Sequence, residues 1–145
     1  MAKLKLLAKG LPVEFASAVY GRQALAAELG RAHFYCYPSL ADKGESFGVA
    51  PLEAMATGLP CLVSDLECFR DFVIPGENAL VFNHRVPTAT ANLADELGRL
   101  VDNPSLCASL GAAAVVTSQR FSYVRVADQF IEDFRDLVKA SRGDA

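Results

Sequence analysis

Two carboxylates, Glu45 and Glu53, stand with seven residues between them at the start of a stretch running from Glu45 to Pro60. A carboxylate accepts hydrogen bonds from paired hydroxyls, as on a ribose or a pyranose. The residues between them include Gly48 and then turn apolar in a helical rhythm. The pattern predicts a helix over 47–57, with Glu45 at its mouth and Glu53 inside it. N–H groups at a helix entry have no intrahelical partner and suit a phosphate or sugar oxygens. A glycine in the first turn costs ~1 kcal/mol relative to alanine, and it lets another group approach the backbone closely. Two carboxylates so placed could grip hydroxyls at two points of one extended ligand. Each residue also has a purely structural reading. Glu45 suits the helix dipole, Glu53 suits a solvated helix face, and Ser46 suits a helix cap.

Within the helix, Leu52, Met55, Ala56 and Leu59 repeat at helical spacing and form the expected buried stripe. Val49, Glu53 and Thr57 form the neighbouring row, which sets Glu53 at the margin of the core, partly shielded. Thr57-Gly58-Leu59-Pro60 is a helix stop, with Gly for a left-handed turn and Pro just beyond.

The elements that must position this helix alternate. Strands are expected at 13–16, 33–37, 61–64 and 79–82, about four in all, where a complete doubly wound domain has five or six. Helices are expected at 22–31 and 66–73, and a Pro-Gly turn at 74–78. Beyond it the chain reads as all helix, over 88–101, 104–118 and 122–140, the last with a stripe of Val126, Phe130, Phe134 and Leu137. Strands separated by helices imply parallel βαβ units. Residues 3–9 look like the tail of a helix. The whole, 1–145, reads as a single α/β domain, a Rossmann-like parallel sheet flanked by helices, truncated at its N-terminus.

Composition narrows the function classes. Of 145 residues, 52% are hydrophobic and 21% charged, which favours a packed core over disorder. Apolar runs are too short to span a bilayer. Lys9 interrupts the opening leucines before any signal-like core forms, so a cytoplasmic location is the default expectation. The net charge of −3 and the lack of a basic run argue against nucleic acid as a partner. Cys36, Cys61, Cys68 and Cys107 include no C-x-x-C pair and read as reduced structural thiols. His33 and His84 show no metal spacing, and no metal is expected.

Glu45 to Glu53 resembles the E-x7-E signature of GT-B glycosyltransferases, in particular the large retaining family 4. The continuation Ala54-Met55-Ala56-Thr57-Gly58-Leu59-Pro60 resembles that family's EAMA-x-G-x-P. Pro38-Ser39 resembles the P-S that ends its preceding strand. Pro75-Gly76-Glu77-Asn78 with Leu80-Val81-Phe82 resembles its later PGENG-x-L-V-x turn, except that Ala79 stands where the family usually has Gly. The likeness runs from about Val13 to Phe134, with the motifs in order.

The resemblance implies the C-terminal, donor-binding domain of a retaining, nucleotide-sugar-dependent hexosyltransferase. Glu45 would meet the donor sugar's hydroxyls near the reacting centre, as the catalytic residue. Glu53 would accept from the ribose hydroxyls. Ser46 and the backbone N–H groups of Phe47, Gly48 and Val49 would line the sugar and diphosphate, and Thr57 would lie near the nucleoside. The donor would be a UDP-, GDP- or ADP-sugar, with no cofactor and no metal in the catalytic step.

The resemblance also implies parts that this chain does not carry: an N-terminal Rossmann domain for the acceptor, and an Arg/Lys pair that clamps the diphosphate. Lys3, Lys5 and Lys9 lie in the wrong context for that clamp. Little or no transferase activity is therefore expected of the chain alone. Self-association through an exposed sheet edge, or pairing with a separate N-terminal half, is expected. The complete enzyme would be cytoplasmic or peripheral to a membrane. The competing readings are another GT-B enzyme, such as a sugar-nucleotide epimerase, and a non-catalytic nucleotide-binding or interaction remnant.

Overall fold

A computed structural model describes residues 2–143. Cys61–Ser64 is apolar up to its last residue and follows Pro60, and it forms the centre of a three-stranded parallel sheet. In chain order the first elements are α1 (Ala2–Leu7), α2 (Arg22–Leu29), β1 (Tyr35–Tyr37), α3 (Val49–Ala56), β2 (Cys61–Ser64) and β3 (Leu80–Phe82). Helices α4 (Ala89–Asp102), α5 (Pro104–Gln119) and α6 (Tyr123–Gly143) follow. The strand order is β1-β2-β3, with Tyr35 opposite Cys61 and Leu62 opposite Leu80.

Every residue of β2 is buried, because helices cover both faces of the sheet. Alternation along the strands sorts the side chains. Tyr35, Tyr37, Cys61, Val63 and Val81 face a layer containing Ala54 and Met55 of α3, with Phe69 and Phe72. Cys36, Leu62, Leu80 and Phe82 face Leu100 of α4 and Leu110 of α5. Helix α5 reaches both layers, with Ala114 in the first and Leu110 in the second. It meets the end of α3 so closely that a Cβ on Gly111 would collide with the Gly58 carbonyl.

The expected α/β class and parallel connectivity hold, but three strands form among the described residues rather than four. Residues 13–16 are not a strand. A strand needs a ladder partner for its N–H and C=O groups, and β1 pairs only with β2. Val13 and Phe15 are left exposed. The helix expected at 66–73 shortens to a single 3-10 turn, Glu67–Phe69. The central helix starts two residues later than expected. Its buried stripe is Pro51, Ala54 and Met55, continued by Leu59, while Ala56 is exposed. Helix α6 carries the expected stripe, but Phe130, Phe134 and Leu137 are all exposed. No single helix among the described residues is long and apolar enough to cross a membrane.

Candidate functional site

Parallel strands deliver their following loops to one edge of the sheet, which is where α/β folds hold ligands. Here three loops meet at that edge. The loop after β1 carries Asp42 and Glu45, the loop after β2 carries Asp65, and the segment after β3 carries His84 and Arg85. Side chains knit them together. Ser64 Oγ donates to the Ser39 carbonyl at 2.6 Å. Arg85 donates to Asp42 Oδ1 at 2.6 Å and to the Asp65 carbonyl at 2.6 Å. His84 Nε2 lies 3.3 Å from Asp42 Oδ1. Partial desolvation pushes the Asp42 carboxyl up, but the hydrogen bonds and charges of Arg85 and His84 outweigh it. They hold the group below the usual carboxylate range.

Glu45 is half-buried in this loop. Its Oε2 accepts a 2.8 Å hydrogen bond from the Tyr37 hydroxyl at the end of β1. That bond is the largest influence on the Tyr37 phenol, whose pKa is raised, with burial and the Glu45 charge adding to it. Glu45 borders an open cleft of about 480 Å3, shared with Asp42, Glu67, Cys68 and Arg85. Burial and then the Glu45 charge push the Cys68 thiol up. The four cysteines are free thiols, and burial pushes Cys61 up to about 12, which makes it inert at neutral pH.

Two residues on from Phe47, the chain turns into α3. The N-cap is Gly48, in the left-handed region at φ 88°, with no side chain capping it. Ser46 is exposed and makes no cap, so the structural alternative given for that residue does not hold. The space beside Gly48 is filled from within the protein, because a Cβ there would run into the Phe69 ring. Close approach at this glycine therefore serves packing on its Cα side. The amides of Phe47, Gly48 and Val49 donate to no protein acceptor among the described residues. They are the free donors that an anion or a sugar oxygen would meet.

The sequence-predicted residues separate into those at the loop and those along the helix. Phe47 is half-buried and packs its ring against the core, 5.3 Å from Phe72 and 5.5 Å from Phe121, which leaves its backbone amide as the polar group for a ligand. Val49 is exposed. Glu53, one turn further and so ~6 Å along the axis, is exposed rather than shielded. Its charge still reaches Tyr35, whose phenol is pushed up to about 12, mainly by burial. Thr57 is exposed, and its hydroxyl donates back to the Ala54 carbonyl at 2.8 Å. Sequence reasoning missed Tyr37, Asp42 and Arg85 as partners. Separations of 8 and 43 residues carry no periodic signal, and only the sheet brings them together.

The family described as Glycosyl transferases group 1 matches residues 1–116. The chain belongs to that family. It is 38% identical over 113 residues to a phosphatidyl-myo-inositol mannosyltransferase of Mycobacterium leprae, a match covering 77% of this chain and 29% of that protein. It is 34% identical over 102 residues to a D-inositol 3-phosphate glycosyltransferase of Saccharomonospora viridis, covering 70% of this chain and 23% of that one. Among solved structures, sucrose-phosphate synthase from Thermosynechococcus elongatus superposes with a TM-score of 0.76 at 25% identity, over 96% of this chain and 34% of that chain. Anabaena HepE, solved in complex with UDP-glucose, superposes with a TM-score of 0.76 at 20% identity, over 93% of this chain and 36% of that chain. The fold thus matches a portion of the GT-B architecture, and the chain spans about a third or less of each of these proteins.

Proposed function

We propose that this chain is the donor-binding portion of a retaining glycosyltransferase and that it binds a nucleotide sugar for hexosyl transfer. The observation that carries this reading is the placement of Glu45. It is a half-buried carboxylate at the ligand edge of a parallel sheet, next to the unpaired amides of Phe47, Gly48 and Val49. Glu45 would accept from the sugar hydroxyls. The three amides would meet the sugar and diphosphate. Glu53 would accept from the ribose, and its exposure leaves it accessible to do so. HepE was solved with UDP-glucose, and relatives are named for mannosyl transfer, which supports a nucleotide-sugar donor without choosing between UDP, GDP and ADP.

The chain alone is proposed to lack turnover. Developing charge on a departing diphosphate needs preorganised cations. Around the Glu45 cleft Arg85 stands against Asp42, Glu45 and Glu67, and Asp42 already engages it. A second polypeptide segment supplying cations and the acceptor site would complete the enzyme. The exposed apolar side chains Leu4, Leu6 and Leu7 of α1 favour such a partner.

Calorimetric titration with UDP, GDP and ADP tests the reading. One nucleotide should bind saturably, and Glu53→Ala should weaken it by roughly 10-fold or more, as expected for losing a charge-assisted pair of hydrogen bonds. No heat from any of the three would sink the donor-site reading for this chain.

A further inference from the structure

Glu45 sits in a loop whose neighbours Lys43, Gly44 and Ser46 are all exposed. A glutamate in such a loop samples several rotamers. Here one side chain removes that freedom, and it comes from a different element. Tyr37 ends β1, and its hydroxyl donates to Glu45 Oε2 at 2.8 Å. The ring that carries the hydroxyl is itself braced. It lies nearly parallel to Tyr35, with centroids 6.3 Å apart, and meets Phe69 edge-on at 6.0 Å. Phe69 is in turn fully buried against Gly48, the N-cap of α3. The backbone on which Tyr37 stands is fixed as well, since Ser64 holds the Ser39 carbonyl and Arg85 holds Asp42.

We propose that Tyr37 is the positioning residue for Glu45, fixing one carboxylate oxygen so that the other is presented to a ligand hydroxyl. This rests on the donor-site reading above and adds to it the residue that sets the direction of Glu45. The phenol donates and the carboxylate accepts, so the bond occupies Oε2 and leaves Oε1 for a ligand. A sugar-bearing ligand should therefore feel the loss of Tyr37, and a bare nucleotide should not.

Two measurements decide it. In the first, the chain is labelled with 13Cζ-tyrosine and its phenols are titrated by NMR. Tyr20 is 86% exposed and serves as the internal reference, and Tyr37→Phe identifies the resonance. The Tyr37 phenol should titrate above the ordinary value of about 10 and move back toward it in Glu45→Gln. A Tyr37 titration that does not change in Glu45→Gln overturns the proposal. Should Tyr37→Phe fold poorly, Tyr20→Phe, Tyr35→Phe and Tyr123→Phe assign the Tyr37 resonance by elimination, and the comparison of the unmodified chain with Glu45→Gln still stands.

In the second, UDP-glucose, GDP-mannose and ADP-glucose are titrated alongside UDP, GDP and ADP. Tyr37→Phe should weaken the sugar nucleotide that binds by roughly 3- to 10-fold, the loss of one charge-assisted bond, and leave its parent nucleotide unchanged. Equal weakening of both, or of neither, overturns the positioning role. If the unmodified chain binds none of the six ligands, the donor-site reading has failed and the role of Tyr37 falls with it. In that case the phenol titration still shows whether the bond exists.

Discussion

Gly48→Ala is expected to destabilise the protein by about 3 kcal/mol, read as a melting temperature roughly 10 °C lower. Two costs add. At φ 88° and ψ 57° the residue is left-handed, which costs a side-chain-bearing residue roughly 1–2 kcal/mol. The new methyl group would also overlap the Phe69 ring. That ring is 2% exposed and packs among Tyr37, Phe72 and Leu66, so it must shift against these neighbours to make room, and overpacking of this kind costs about 1–3 kcal/mol. Gly76→Ala separates the two. Gly76 has φ 78° with nothing within 4 Å of a built Cβ, so only the backbone cost applies there. Gly48→Ala should therefore melt well below Gly76→Ala. Equal melting would mean that Phe69 does not need the space. A displaced Phe69 should also loosen Tyr37 and hence Glu45, so the same variant tests whether packing at the helix cap reaches the site.

The same cap shows how far the sequence could be read. The helix stop at Thr57–Pro60 and the strand over 61–64 were legible, because a Pro-bounded apolar run allows few alternatives. The Pro-Gly turn was legible too. Gly76 takes φ 78°, and the Glu77 amide donates to the Ile74 carbonyl at 3.0 Å, as a type II turn requires. The start of α3 was not legible. Ser46 has the chemistry of a cap, yet the left-handed Gly48 took that place because Phe69 demanded a residue without a Cβ. That packing comes from a turn more than twenty residues on, beyond any local pattern. The buried stripe also falls on Pro51, Ala54 and Met55, with Glu53 in solvent, because the packing of α3 against the sheet and α5 sets the buried face. The missing strand at 13–16 has a similar cause. Strand propensity is local, but a strand exists only where a neighbour completes its ladder. Within the candidate site, the two glutamates were visible from their spacing. The Tyr37 hydrogen bond and the Arg85 clasp were not, since they depend on which strand ends become neighbours.

Asn78→Leu should lower stability by about 3 kcal/mol, close to the Gly48 effect but by another route. Asn78 is 1% exposed. Its Oδ1 accepts from the Ile74 amide at 2.7 Å, and its Nδ2 donates to the Phe72 carbonyl at 2.8 Å and to Thr117 Oγ1 at 2.9 Å. One amide side chain thus ties the Pro-Gly turn to the end of the 66–73 segment and to α5. Leucine keeps the branched shape, with bulkier methyl groups in place of the amide oxygen and nitrogen, and removes all three bonds. Thr117 can turn back to a carbonyl of its own helix, but the Ile74 amide and the Phe72 carbonyl lose their partners. Leaving each unsatisfied costs roughly 1–3 kcal/mol. Asn78→Asp provides the complementary test. It keeps an acceptor for Ile74 but turns a carboxylate toward the Phe72 carbonyl, in a place that disfavours charge. Such a group has a raised pKa in the folded state, so its penalty is absent below the unfolded value of about 4 and grows as pH rises through the folded value. Urea midpoints should therefore rank the unmodified chain above Asn78→Leu, and Asn78→Leu above Asn78→Asp, at pH 7. Asn78→Asp should regain ground on acidification toward about pH 4. An Asn78→Asp variant as stable as the unmodified chain at pH 7 would show that Asn78 does not hold the turn against α5 through its amide group.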